Sequence, residues 1–130
     1  MKEMYVKNVT PELFQQPDLS DIIFKDDKGN IADGGQILVP RTGEYAFYQL
    51  YFEAGVLTNF IDEQGHISPA VEGPGMLEYR TKGVLTSPDT AGKNPARICE
   101  GFNKREYWEH GKLVRVSEKS YDNKENAVWS

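Results

Sequence analysis

The sequence predicts an all-β fold: consecutive antiparallel β-hairpin repeats of period 28 forming a meander sheet or stack, with a short N-terminal helix. Three observations carry this. Gly55, Gly83 and Gly111 fall at a constant interval of 28 residues, and Tyr51, Tyr79, Tyr107 and Leu57, Leu85, Leu113 keep the same phase. Each glycine follows an aromatic residue and precedes a leucine at fixed spacing, in LYFEAGVLTN, EYRTKGVLTS and EYWEHGKLVR. That order suits a strand, a turn whose glycine takes positive φ, and a returning strand. Between the units lie turn formers: Asp62-Glu63-Gln64-Gly65, Gly73-Pro74-Gly75, Ser87-Pro88-Asp89 and Gly92-Lys93-Asn94-Pro95.

Taken in order, Thr10-Pro11-Glu12 reads as an N-cap with proline at the first helical position, which predicts a short helix over 11–16. SDIIFK (20–25) predicts a strand, DDKGN (26–30) a turn on Gly29, and residues 36–39 a strand stopped by Pro40. FKDDKGNI (24–31) matches FIDEQGHI (60–67) in Phe, acidic residues, Gly and Ile, so it reads as a degenerate hairpin of the same kind. Glu44, Glu72 and Glu100 keep the period and open units 44–71, 72–99 and 100–127. Residues 1–43 form an atypical N-terminal cap, and 1–130 is a single domain. AFYQLYF (46–52) is rich in aromatics, and KLVRV (112–116) alternates apolar and basic residues, which favours strands over helices. A proline-alanine feature follows less regularly: Pro69-Ala70-Val71, Pro95-Ala96-Arg97-Ile98, and Asn126-Ala127-Val128-Trp129.

Composition narrows the function classes. The chain of 130 residues is 38% hydrophobic and 12% aromatic, too apolar for a disordered segment. Its net charge of −5 disfavours nucleic-acid binding, which draws on clustered Lys and Arg. No apolar run approaches the length of a membrane span, and MKEMYVKNVTPELF lacks the apolar stretch of a secretory signal. The single cysteine, Cys99, excludes an internal disulfide, and together these features lead us to expect a cytoplasmic protein.

The repeated aromatic-x3-Gly-x-Leu hairpin resembles the MORN-type repeat families, in particular the second MORN variant of bacterial antitoxin-like proteins. REYWEHGKLVR followed by ENAVW is similar to a repeat of phage and bacterial proteins built on Glu-Tyr-Trp, two residues, then Gly-Lys-Leu-His-Arg. Glu106, Tyr107, Trp108, Gly111, Lys112, Leu113 and Arg115 match, while Val114 stands where histidine is usual and Asn126 where proline is. The resemblance covers about residues 44–130 and is clear in the last unit. It implies stacked hairpins, and binding rather than catalysis.

The candidate chemistry is thin. Glu106, Glu109 and His110 crowd together, but His110 precedes the turn glycine where the other units have Ala54 and Lys82, so it reads as a solvated turn residue. His66, beside Asp62 and Glu63, reads the same way. Cys99 has no histidine close in sequence to activate it. Asp26-Asp27 and Asp62-Glu63 lie in turns, and no glycine pair has the strand-loop-Lys-helix setting of a phosphate loop. Tyr51, Tyr79 and Tyr107 are expected to build the shared core. The neighbouring slot, Phe52, Arg80 and Trp108, holds residue types enriched at interface hot spots. Tyr48, Leu50 and Phe52 make a second apolar face, either covered by the N-terminal segment or open for binding.

The functional expectation is a non-catalytic protein-binding module: a small antitoxin, immunity or phage-type inhibitor acting by direct protein contact. Trp108, Phe52, Arg80, Tyr48 and Arg115 are the expected contacts, and the partner is another protein, with no cofactor, nucleic acid or membrane involved. Alternatives are a self-associating structural repeat protein that pairs as a homodimer, and an uncommon hydrolase or metal protein using His110 or Cys99.

Overall fold

Three Xaa-Gly pairs set the backbone geometry. Ala54-Gly55, Lys82-Gly83 and His110-Gly111 have φ of 50° and 84°, 49° and 89°, and 48° and 81°. Two consecutive positive φ values make the two-residue turn whose twist matches paired strands, and glycine meets that demand at the second position. The strands on either side close in the same register, with Phe52 opposite Leu57, Arg80 opposite Leu85 and Trp108 opposite Leu113.

The structure is a computed structural model that describes residues 2–39, 47–89, 92–121 and 124–130. Glu44 and the stop at Pro40 lie outside the described residues. In chain order the strands are β1 (Lys2–Tyr5), β2 (Ile22–Lys25), β3 (Gly34–Leu38), β4 (Tyr48–Glu53), β5 (Val56–Leu57), β6 (Phe60–Ile61), β7 (Ile67–Ser68), β8 (Val71–Gly73) and β9 (Met76–Glu78). They continue with β10 (Arg80–Thr81), β11 (Val84–Leu85), β12 (Arg97–Cys99), β13 (Lys104–Glu109), β14 (Lys112–Tyr121) and β15 (Ala127–Trp129). Nine of them form one sheet ordered β15-β14-β13-β12-β9-β8-β4-β3, with β5 on β4, and its pairings are antiparallel. The ribbons β10-β11 and β6-β7 stand apart from it.

The N-terminal region differs from the expectation in two ways. The helix expected over 11–16 is a 3-10 turn, Pro11–Gln15, whose Thr10 makes no side-chain cap. No α-helix occurs among the described residues, and no helix is long and apolar enough to cross a membrane. Second, β1 pairs with β2 in parallel, through a crossover that carries the 3-10 turns.

The phase of the core is also corrected. Phe52 and Arg80 are fully buried, whereas Tyr51 and Tyr79 are half-buried; Tyr107 is buried as expected. Alternate strand residues face opposite sides, and β4 turns Leu50 and Phe52 onto the N-terminal segment. Phe24 meets Phe52 at 5.1 Å between ring centres, and Phe14 meets Tyr48 at 5.7 Å. The N-terminal segment therefore covers this face, and Leu38, Leu57 and Val71 complete the cluster.

Two turns repeat at atomic detail, as the sequence match of 24–31 with 60–67 suggests. Asp26 Oδ1 accepts from the amides of Lys28 and Asn30, each at 2.9 Å. Asp62 Oδ1 accepts from Gln64 and His66, again at 2.9 Å. These aspartates are spent on backbone donors, as Asx turns require. The alanines of the proline-alanine feature, Ala70 and Ala96, are buried and accept the amides of Tyr51 at 2.9 Å and Tyr79 at 2.6 Å.

Candidate functional site

A row of side chains crosses the sheet on one face. The registers place Leu50, Val71, Glu78, Arg97, Glu106 and Val116 side by side on successive strands. The row begins apolar and becomes alternately acidic and basic. Arg97 lies 3.1 Å from Glu78, without hydrogen-bond alignment, and 3.7 Å from Glu106. Lys104 adds a second cation 3.6 Å from Glu106. Such cross-strand opposite charges stabilise the pairing.

Each end of the charged row holds one residue expected as a contact. At one end Arg80 Nε donates to Glu78 at 3.0 Å, and its other nitrogens donate to the carbonyls of Gly83 (2.9 Å), Phe14 (2.9 Å) and Gln16 (2.8 Å). Arg80 is thus an internal clasp between the N-terminal segment and the second hairpin, not a surface contact. Burial pushes the Glu78 carboxyl up, against the pull of Arg80 and Arg97. Burial pulls the Arg80 guanidinium down, against Glu78. Phe52 is likewise removed from the surface, because the N-terminal segment packs over it.

At the other end Trp108 donates its indole N–H to Glu106 at 2.9 Å. The bond satisfies the one polar group of the ring, so the partly exposed remainder is apolar. The register slips between Tyr107 and Trp108, leaving Val114 as an extra residue on β14. Such a bulge re-aims neighbouring side chains, and here Val114 joins Trp108 in lining a groove of about 660 Å³. That volume suits a buried side chain or a small ligand.

The groove lies where the second and third hairpins meet. Ser87 N–H donates to Trp108 O at 2.9 Å, Gly111 N–H to Leu85 O at 2.8 Å, and His110 N–H to Thr86 Oγ1 at 3.3 Å. Val84 and Pro88 extend the apolar wall. Asp18, Asp89, Glu109 and His110 also line it without forming a tight cluster, and the carboxyls of Asp18 and Asp89 accept hydrogen bonds from their own loops. The Asp18 carboxyl is held below the usual range by the hydroxyl and amide of Ser20. That of Asp89 is lowered by the loop amides of Lys93 and Asn94.

The other expected residues fall elsewhere. Tyr48 lies over Gly73 and against Phe14, away from the groove. Arg115 is exposed and stacks on Tyr107, 4.0 Å from the ring centre. His110 is an exposed turn residue, and His66 is exposed with its ring 3.3 Å from Asp62. Cys99 is half-buried on β12, and burial raises its thiol pKa, which opposes thiolate chemistry. Among the described residues no three metal-ligating side chains cluster. Asp18 and Asp89 had no local signal; the fold brings Asp18 in through a bridge to Val84. No protein-family model matches the chain, and neither the curated proteins nor the solved structures contain a significant match.

Proposed function

We propose that this chain is a non-catalytic protein-binding module of stacked β-hairpins, similar in kind to the MORN-type repeats. It acts as a small antitoxin, immunity or phage-type inhibitor by direct contact in the cytoplasm. The observation that carries the proposal is Trp108: partly exposed, its N–H bound to Glu106, its ring on the groove. Tryptophan is among the side chains enriched at the residues that dominate binding energy. The repeat reading draws on the shared turn and register of the three Xaa-Gly hairpins. Affinity capture from the native lysate compares the wild type with Trp108→Ala. A partner held by the first and lost by the second, at equal thermal stability, supports the proposal; equal retention by both overturns it.

One observation favours self-association as a second reading. Leu57 and Leu85 are 0% exposed, but Leu113, in the matching position, is 49% exposed on β14. Val114 and Val116 beside it are exposed too. A second copy laid against this strand would cover them. Light scattering across a hundredfold range of concentration decides it: an invariant monomer mass removes this reading.

A further inference from the structure

The groove at Trp108 has a chemical preference beyond being apolar. Three of its lining residues, Asp18, Asp89 and Glu109, are acidic, and no Lys or Arg lines it. Hydrogen bonds from Ser20, Lys93 and Asn94 favour the ionised form of the two aspartates, so they carry charge at neutral pH. An anionic group entering here meets repulsion. A cationic group meets carboxylates above an aromatic surface, in a chain of net charge −5.

We infer that the groove seats an arginine side chain of the partner protein, its guanidinium against the Trp108 ring and its charge facing Glu109, while Asp18 and Asp89, bound to their own loops, add negative potential to the lining. This rests on the protein-binding reading of the same site. Guanidinium is favoured over ammonium because it is planar, weakly hydrated and stacks on aromatic rings while donating in its own plane. The molecule uses that geometry twice within itself: Arg105 lies 3.6 Å from the Trp129 ring centre and Arg115 lies 4.0 Å from that of Tyr107. The indole N–H is already bound to Glu106, so no donor of the ring competes for the carboxylates.

Calorimetry with a capped Gly-Ser-Arg-Arg-Ser-Gly peptide tests the inference, alongside the same peptide carrying citrulline for arginine. Citrulline keeps the shape and removes the charge. Saturable binding of the arginine peptide, about tenfold tighter than the citrulline form, is expected. Trp108→Ala and Glu109→Gln should each weaken it about fivefold. Glu109 is exposed, so its variant keeps the fold, which a thermal melt verifies. The inference is overturned by no saturable binding, by equal affinity for both peptides, or by unchanged affinity in both variants. N-acetylarginine amide binding as tightly as the peptide assigns the groove to a small molecule and overturns it as well. The two levels fail separately. Lysate capture that depends on Trp108 without peptide binding sinks the arginine assignment alone; capture indifferent to Trp108 sinks the binding reading.

Discussion

Arg80 and Glu78 pair at 3.0 Å with neither side chain exposed to solvent. The pair joins a hydrogen-bonded system, the carbonyls of Phe14, Gln16 and Gly83, to an ion-pair row, Glu78–Arg97–Glu106. Replacing Arg80 by Met leaves Glu78 buried beside Arg97 alone and strands three carbonyls. Breaking a buried pair in this way costs about 3–5 kcal/mol. Urea denaturation measures it, and a loss under about 1 kcal/mol would mean the clasp is not a clasp.

The same variant should show a distinct pH dependence. Burial already raises the Glu78 carboxyl, and without Arg80 it rises further. A carboxyl raised on folding favours the folded state while protonated, below its unfolded pKa of about 4.3, and that contribution is lost as pH climbs through the folded value. The stability gap between wild type and Arg80→Met therefore narrows on going from pH 7 toward pH 4. A gap that widens contradicts this account.

Asp18 gives the opposite sign. Its carboxyl is lowered by Ser20, so its contribution is present above an unfolded pKa of about 3.9 and fades as pH falls through the lower folded value. Asp18→Asn should reduce stability at pH 6 and converge with the wild type near pH 2, followed by thermal melts in a pH series.

Gly83→Ala and Gly65→Ala separate backbone conformation from packing. Their φ angles are similar, +89° and +84°. A β-carbon on Gly83 meets the Ser20 amide nitrogen at 2.8 Å and Leu19 C at 2.9 Å; on Gly65 it meets nothing within 4 Å. Gly65→Ala should cost about 1 kcal/mol of left-handed strain, and Gly83→Ala about 3 kcal/mol or more, since backbone must shift. Equal losses in denaturant titration would show that the N-terminal segment yields freely.

Cys99 provides a check on nucleophile chemistry. With its thiol raised by burial, it should react with iodoacetamide at pH 7.5 several times more slowly than free cysteine. A faster reaction would reopen the hydrolase alternative.

The turns were legible because their signals are local. Gly55, Gly83 and Gly111 announce positive φ within two residues, and Asp26 and Asp62 sit beside the amides they bind. The inside and outside of the strands were not. Alternation distinguishes two faces but does not say which one another segment covers, and Phe14 and Phe24 decide that from more than twenty residues upstream. Recurrence of Tyr51, Tyr79 and Tyr107 suggested a core, yet recurrence also marks residues kept half-buried beside a backbone junction. One signal went unread: Leu50, Glu78 and Glu106 share a phase, and charges in a slot that the first unit fills with leucine point to an internal ion pair. Parallel β1-β2 pairing and the arrival of Asp18 at the groove depend on long-range topology alone.

The Arg80 clasp also sets an order of assembly. Its bonds to Phe14 and Gln16 span 66 and 64 residues of chain, whereas each Xaa-Gly hairpin closes across a two-residue turn. Loop-closure entropy makes the short closures early and the long one late. The N-terminal segment then acts as a latch, drawn shut over hairpins already formed. Pulsed hydrogen exchange should show the amide of Thr58, bonded to Tyr51 of its own hairpin at 3.1 Å, protected before that of Leu85, bonded to Pro17 of the N-terminal segment at 2.8 Å. A chain begun after Gln16 would complete its hairpins and still leave Arg80 with nowhere to place two of its protons.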